Sequence, residues 1–165
     1  MPDVHHENRA SSLLTPEHKQ ELEHTWALVA PMGEEAASLF YERLFEIDPS
    51  TRKLFQSVDM PAQRTKLVKA LDQVVNGLDR PEDLLPVLEQ LGRRHAEYGV
   101  VDSHYDSVGA ALLWTLEQGL GPAWTRQARE AWTSAYALIS NVMRRATVDV
   151  AAAIAAPVTV SALRD

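Results

Sequence analysis

From Thr15 to Met143 the apolar residues recur at helical spacing, and no stretch keeps the period-two alternation of a half-buried strand. That periodicity confines the chain to an all-α fold. Its punctuation divides it. Thr15-Pro16 pairs an N-cap with proline at the first helical position, and a helix runs to about Ala30, broken by Pro31 and Gly33. The next runs from about Glu34 to Ile47, with Ala37, Phe40, Tyr41 and Leu44 on one face. Asp48-Pro49 opens a short helix ending near Phe55. Pro61 opens a long one whose inner stripe carries Leu67, Leu71, Val74 and Leu78. The helix bearing His95 starts at Asp79 to Pro81, is bent or divided by Pro86, and ends at Gly99. Asp102 or Ser103 caps a helix with Tyr105, Val108, Leu112 and Leu116 inward. Thr125 caps the last, with Ala128, Trp132, Ala135, Tyr136, Ile139 and Met143 inward. About seven to eight helices with short connections are expected.

Composition removes several functions. The chain has 165 residues, enough for one sizeable core. A net charge of −7 leaves no basic footprint, so neither nucleic acid nor an anionic membrane is an expected partner. Without cysteine there is no disulfide, thiolate metal site or iron–sulfur cluster. MPDVHHENRASS lacks the apolar core of a signal peptide, and the apolar run near Val150 to Val158 is too short to span a bilayer. A cytoplasmic protein is expected. Residues 1–14 read as a flexible polar arm that includes His5 and His6, 15–148 as one domain, and 149–165 as a tail. The tail can extend the last helix to Ala156, where Pro157 stops it.

Chemistry enters at His95, which shares a helix face with Leu88 and Leu91. A histidine turned into a core needs partners for both ring nitrogens, because an unpaired buried polar group is costly. A neighbouring side chain can supply one; so can a metal carried in by an apolar cofactor. No carboxylate pair, Ser/His/Asp set, phosphate loop or HExxH competes with it. His18 and His24 lie among charges and read as solvent-facing, and His104 reads as partly exposed. Tyr41, Gln63, Phe55 and Tyr105 each stand on or beside an inner stripe, and each taken alone reads as core filler or a surface amide.

Taken together these residues resemble the globin family, from Leu14 to Ala146. LGRRHAEYGV, YDSVGAALLWTLEQGLGPAWT and AREAWTSAYALISNVM are similar to the second half of neuroglobins. SLFYERLFEIDPSTRKLF, followed by Gln63 and Leu67, is similar to bacterial single-domain haemoglobins and the globin part of flavohaemoglobins. The resemblance implies a three-on-three helical sandwich and makes residues 15–148 a haem-binding domain. It places the proximal histidine, the iron ligand, at His95, the haem-stacking phenylalanine at Phe55, the distal position at Gln63 and the ligand-facing tyrosine at Tyr41. Leu67 follows one turn beyond Gln63. The implied cofactor is haem b, since no CxxCH exists for covalent attachment. Its wall is expected from Phe55, Leu67, Leu71, Leu91, Val100, Tyr105 and Val108. Lys66 is the candidate partner for the propionates, with Arg64 and Arg94 behind it. His95 would ligate through one ring nitrogen while the other donates to a carbonyl or nearby side chain.

The implied function is reversible binding of dioxygen, as in oxygen transport, with nitric oxide and carbon monoxide as other ligands. Tyr41 and Gln63 are the donors that stabilise the ligand, and no residue is assigned as catalytic. Two departures matter. The distal position carries no histidine, unlike neuroglobins, so the sixth site is expected open, or held by water or Tyr41. Flavohaemoglobins pair a tyrosine, matched by Tyr105, with a glutamate whose place is taken here by Thr147. A hydroxyl cannot push electrons as a carboxylate does, so a more neutral proximal histidine is expected. Little chain follows Asp149, so no fused reductase is expected. The alternatives are a nitric oxide dioxygenase served by a separate reductase and a haem-based gas or redox sensor. A monomer or a homodimer is expected.

Overall fold

The computed structural model describes residues 14–155, with side chains through Val148. The arm before Leu14, with His5 and His6, and the tail after Ala155 lie outside the described residues. Six α-helices and three 3-10 segments, with no strand, make up the described chain. They are α1 (Pro16–Val29), α2 (Gly33–Ile47), α3 (Met60–Asn76), α4 (Pro81–Glu97), α5 (Asp102–Leu120) and α6 (Arg126–Ala155). The 3-10 segments are Ala30–Met32, Pro49–Phe55 and Gly121–Ala123. The count falls below the seven or eight expected for two reasons. Pro49–Phe55 winds as 3-10 rather than α, and Pro86 does not divide α4. The bond Pro86 forfeits would join Glu82, in the first turn and on the exposed side, where the freed carbonyl meets water. Leu84 and Leu88 bury the opposite side of the same helix.

Local chemistry explains the boundaries. Thr15 Oγ1 accepts from the His18 N–H at 3.1 Å, and His18 Nδ1 accepts from the Thr15 N–H at 3.3 Å. His18 therefore closes a reciprocal cap instead of facing solvent freely. Leu14, the last residue assigned to the arm, is buried at 5% exposure. It precedes the cap, the position from which an apolar side chain commonly folds back onto its helix.

The helices pack three on three. α1, α3 and α4 lie against α2, α5 and α6, with α4 on α6, α2 on α5 and α1 on α6 the broadest contacts. Trp132 Nε1 donates to Thr25 Oγ1 at 2.8 Å, and Trp26 Nε1 donates to Asp72 at 3.0 Å, so both buried indoles are satisfied. Among the described residues no helix is long and apolar enough to cross a membrane.

The α4–α6 crossing positions His95, and Gly92 makes it possible. A Cβ at Gly92 would stand 2.6 Å from the Met143 carbonyl oxygen and 2.8 Å from its Cα, backbone atoms that cannot step aside. Gly92→Ala is therefore expected to destabilise the fold by about 1–3 kcal/mol. Thermal denaturation checks this, and an unchanged midpoint would place the two helices further apart.

Candidate functional site

His95 sits on the stripe that Leu88 and Leu91 begin. Its Nδ1 lies 2.7 Å from the Leu91 carbonyl oxygen. A carbonyl only accepts, so Nδ1 carries the hydrogen and Nε2 presents a bare lone pair. On this half-buried ring the one hydrogen bond to a described residue is at Nδ1. Burial lowers the imidazole pKa below its ordinary 6.5, and outweighs the Leu91 bond, which raises it. The ring is neutral at pH 7, the form that ligates metal.

That shift has a pH consequence. The unfolded chain takes up a proton that the folded ring refuses, so unfolding is favoured wherever the unfolded state binds more protons. Stability of the haem-free chain that is present above about pH 6.5 is lost as pH falls through the lower folded value. Urea denaturation between about pH 5 and 7 should show a steeper loss for the native chain than for His95→Gln. Equal slopes would contradict the assignment.

A second group gathers on α2, α3 and the Pro49–Phe55 segment. Tyr41 is 5% exposed, and Gln63 Nε2 donates to its oxygen at 3.1 Å. The Tyr41 ring lies edge-on to Phe55 at 5.3 Å and to Phe40 at 4.9 Å between centroids. Burial raises the phenol pKa against the opposing Gln63 bond. Tyr41 thus keeps its proton at neutral pH, and among the described residues nothing accepts it. Leu67 and Leu71 follow Gln63 by one and two turns.

The apolar residues expected to form a wall are distinctive in their burial. Leu22, Leu44 and Leu116 are 1–2% exposed, as core residues should be. Phe55, Leu67, Leu71, Leu91, Val100 and Val108 are only half-buried, though they pack against that core. Apolar surface left part-exposed on inner stripes suits a flat apolar ligand. The Val100 N–H donates to the His95 carbonyl at 3.0 Å, and Gly99, at φ 95°, allows the chain to turn there. Lys66 is exposed on α3 with no described ion-pair partner. Arg64 is engaged by Glu34 at 2.7 Å.

Tyr105 is buried, and its hydroxyl lies 2.8 Å from Thr147 Oγ1. Thr147 Oγ1 also reaches the Met143 carbonyl at 2.8 Å and the Gly92 carbonyl at 3.2 Å. Threonine has one hydroxyl hydrogen, and these carbonyls compete for it, so Tyr105 is the donor to Thr147. The Tyr105 proton is thereby committed to a neutral hydroxyl. His104, expected to be partly exposed, is 9% exposed and bonded at both ring nitrogens. Its position at the third residue of α5 is the signal that identifies it as a cap.

Among the described residues no group of three or more His, Asp or Glu side chains stands ready for a bare metal ion. One imidazole nitrogen would suit an iron that brings its other ligands with it. The donor set and the half-buried apolar wall therefore fit a haem.

The globin family profile matches residues 38–143. A Bacillus subtilis flavohemoprotein is 32% identical over 111 residues, 66% of this chain and 28% of that protein. A Danio rerio neuroglobin is 32% identical over 120 residues, 65% of this chain and 76% of that protein. The chain spans only 28–34% of the length of the flavohemoproteins it matches. An engineered carbene transferase from Rhodothermus marinus, provisionally named a nitric oxide dioxygenase, superposes with a TM-score of 0.78 at 26% identity. That match covers 87% of this chain and 99% of the other. A hexacoordinated heme protein from an anhydrobiotic tardigrade shares the fold, with a TM-score of 0.74 at 20% identity over 82% of this chain and 96% of that one. The chain belongs to the globin family.

Proposed function

We propose that this chain holds haem b through His95 Nε2 and binds dioxygen reversibly, with nitric oxide and carbon monoxide as competing ligands. The observation that carries the reading is the neutral, tautomer-fixed His95 ring, whose one hydrogen bond to a described residue is at Nδ1. When bound, haem supplies a ferrous iron able to take a diatomic gas. Everything else is the work of the chain. The Leu91 carbonyl orients His95 and fixes which nitrogen is free. Gln63 gives an amide hydrogen to the Tyr41 oxygen, which orients the phenol and leaves its O–H free to donate. Burial keeps that proton on Tyr41, so the residue serves as a donor rather than as an anionic ligand. Phe55, Leu67, Leu71, Leu91, Val100, Tyr105 and Val108 would hold the porphyrin and exclude water from it, and Lys66 would be the cation for a propionate.

Cycling the ferrous protein between air and argon tests the reading. Reversible switching of the absorption spectrum supports it. One-way conversion to the ferric form in a single cycle contradicts it.

The proximal side gives another expectation. With the Tyr105 proton spent on Thr147, the acceptor left to His95 is a neutral carbonyl. The iron–histidine stretch should fall in the neutral-imidazole range and rise in Thr147→Glu, where a carboxylate replaces the hydroxyl. Resonance Raman of the ferrous forms checks this, and an imidazolate-like frequency in the native chain would contradict it.

The flavohemoprotein relatives and the Rhodothermus marinus structure favour a second reading, nitric oxide dioxygenation with a separate reductase. Mixing the oxygenated protein with nitric oxide and cycling it with cell extract decides between the two. Catalytic nitrate formation supports the enzyme, and a single turnover supports the carrier.

A further inference from the structure

The chain has four tyrosines, and only one stands mostly in water. Tyr41 and Tyr105 are buried, and the Tyr136 hydroxyl donates to the Tyr105 backbone carbonyl. Tyr98 is 67% exposed, and the proposed function does not use it. It is the C-cap of α4, and its N–H donates to the Arg94 and His95 carbonyls, each at 3.1 Å. Residues three apart on a helix are neighbours. The Tyr98 ring accordingly falls beside the His95 imidazole, 6.4 Å away between centroids and tilted by 49°, within the range of paired aromatic rings.

Exposure decides which phenol can be oxidised. A phenol that gives up an electron must also release its O–H proton, since a cation radical left in apolar surroundings is costly. Tyr41 receives a hydrogen bond from Gln63, and among the described residues nothing accepts its own proton. The Tyr105 proton faces the Thr147 hydroxyl, and the Tyr136 proton faces a backbone carbonyl. Neither group takes up a proton near neutral pH. Tyr98 can pass its proton to water directly. Of the four, it alone combines that outlet with a place beside the proposed iron ligand.

We propose that Tyr98 is an electron relay between His95 and solvent, and that through it the haem-loaded chain oxidises phenolic donors at its surface at the expense of hydrogen peroxide. The proposal rests on the haem reading above. Bound haem supplies a centre that peroxide can oxidise. Tyr98 gives one electron across the imidazole and one proton to water, and becomes a neutral phenoxyl radical. A phenol arriving from solvent returns a hydrogen atom to Tyr98 and leaves as a radical itself. Two such turns break one O–O bond and convert one peroxide and two phenols into two waters and two phenoxyl radicals. A donor too bulky for the cleft is therefore a substrate, because it meets Tyr98 and never the porphyrin. Without a donor, two chains finish the reaction with each other. A C–C bond forms between ring carbons beside the two phenol oxygens, each displaced ring hydrogen moves to its oxygen, and the product is dityrosine.

Tyr98→Phe keeps a ring beside His95 and removes the oxidisable O–H. The native haem-loaded chain, given hydrogen peroxide alone, should form a covalent dimer on denaturing gels. That dimer should show dityrosine fluorescence and yield a cross-linked peptide with residue 98 from both copies. Tyr98→Phe should lose the dimer, and with it the peroxide-driven oxidation of a phenol tethered to dextran. Tyr98→Trp, whose exposed indole can also be oxidised, should regain that oxidation. Carbon monoxide association should be the same in the native chain and in Tyr98→Phe. A changed rate would make the loss a disturbance of the cleft and overturn the proposal. So would a dimer that persists in Tyr98→Phe, a cross-link mapped to another tyrosine, or no cross-link in the native chain. A colourless native chain overturns the haem reading and this proposal with it, whereas a pigmented chain with any of those outcomes overturns this proposal alone.

Discussion

His95→Ala is expected to leave a folded chain that cannot keep haem. Disturbing the partner that orients a metal-bound histidine typically costs about 10–100-fold in metal affinity, so losing the ligand itself should cost more than about 100-fold. The apolar wall remains, and weak, poorly oriented binding of porphyrin remains with it. The native Soret band should be lost, and pigment should wash out on gel filtration. Added imidazole should partly restore both, because it returns the missing nitrogen without repairing the covalent link to α4. Since the ring is bonded to Leu91 of its own helix rather than to another element, far-ultraviolet dichroism should change little. A variant that kept the native band and its pigment would show that iron is held elsewhere.

The second large effect is at Tyr41. Tyr41→Phe removes one oxygen and keeps the ring that packs on Phe40 and Phe55. A hydrogen bond to a charged acceptor contributes about 1.5–3 kcal/mol. Dioxygen at ferrous haem carries partial superoxide character, so its dissociation rate should rise by at least about tenfold. Carbon monoxide, with little charge to stabilise, should respond far less. Gln63→Leu should have a smaller effect on dioxygen, because Gln63 acts on the phenol and not on the ligand directly. Stopped-flow rates for Tyr41→Phe that stay within about twofold of native would take the phenol out of the pocket.

The helices were legible because their ends are written locally. Thr15-Pro16, Asp48-Pro49 and Pro61 mark starts, and Gly77 and Gly99 mark ends, each through backbone chemistry within one turn. Periodicity also put Tyr41, Leu67, Leu71 and His95 on inner stripes. It did not separate half-buried from buried positions on the same stripe, because that difference depends on what faces them. Side-chain partners were legible only where the resemblance supplied a position, as for Thr147 beside Tyr105. The burial of His104 is not legible in the sequence because its Ser50 partner lies 54 residues away. Pro86 reads as a break, yet the bond it forfeits falls on exposed Glu82 in the first turn, where water replaces it, and apolar spacing does not separate the 3-10 winding of Pro49–Phe55 from an α turn. Leu14 reads as part of the arm because the polar stretch before Leu13-Leu14 masks the apolar pair that precedes the cap.

The most direct test is one set of absorption spectra of the native chain made with ample haem, taken ferric, ferrous and ferrous under carbon monoxide. A gas-free ferrous spectrum with a single broad visible band, together with a Soret band that sharpens and shifts when the gas is added, means that iron is held by one protein nitrogen with its other face open to a diatomic ligand. A colourless product, or a ferrous spectrum that carbon monoxide leaves unmoved, contradicts that arrangement.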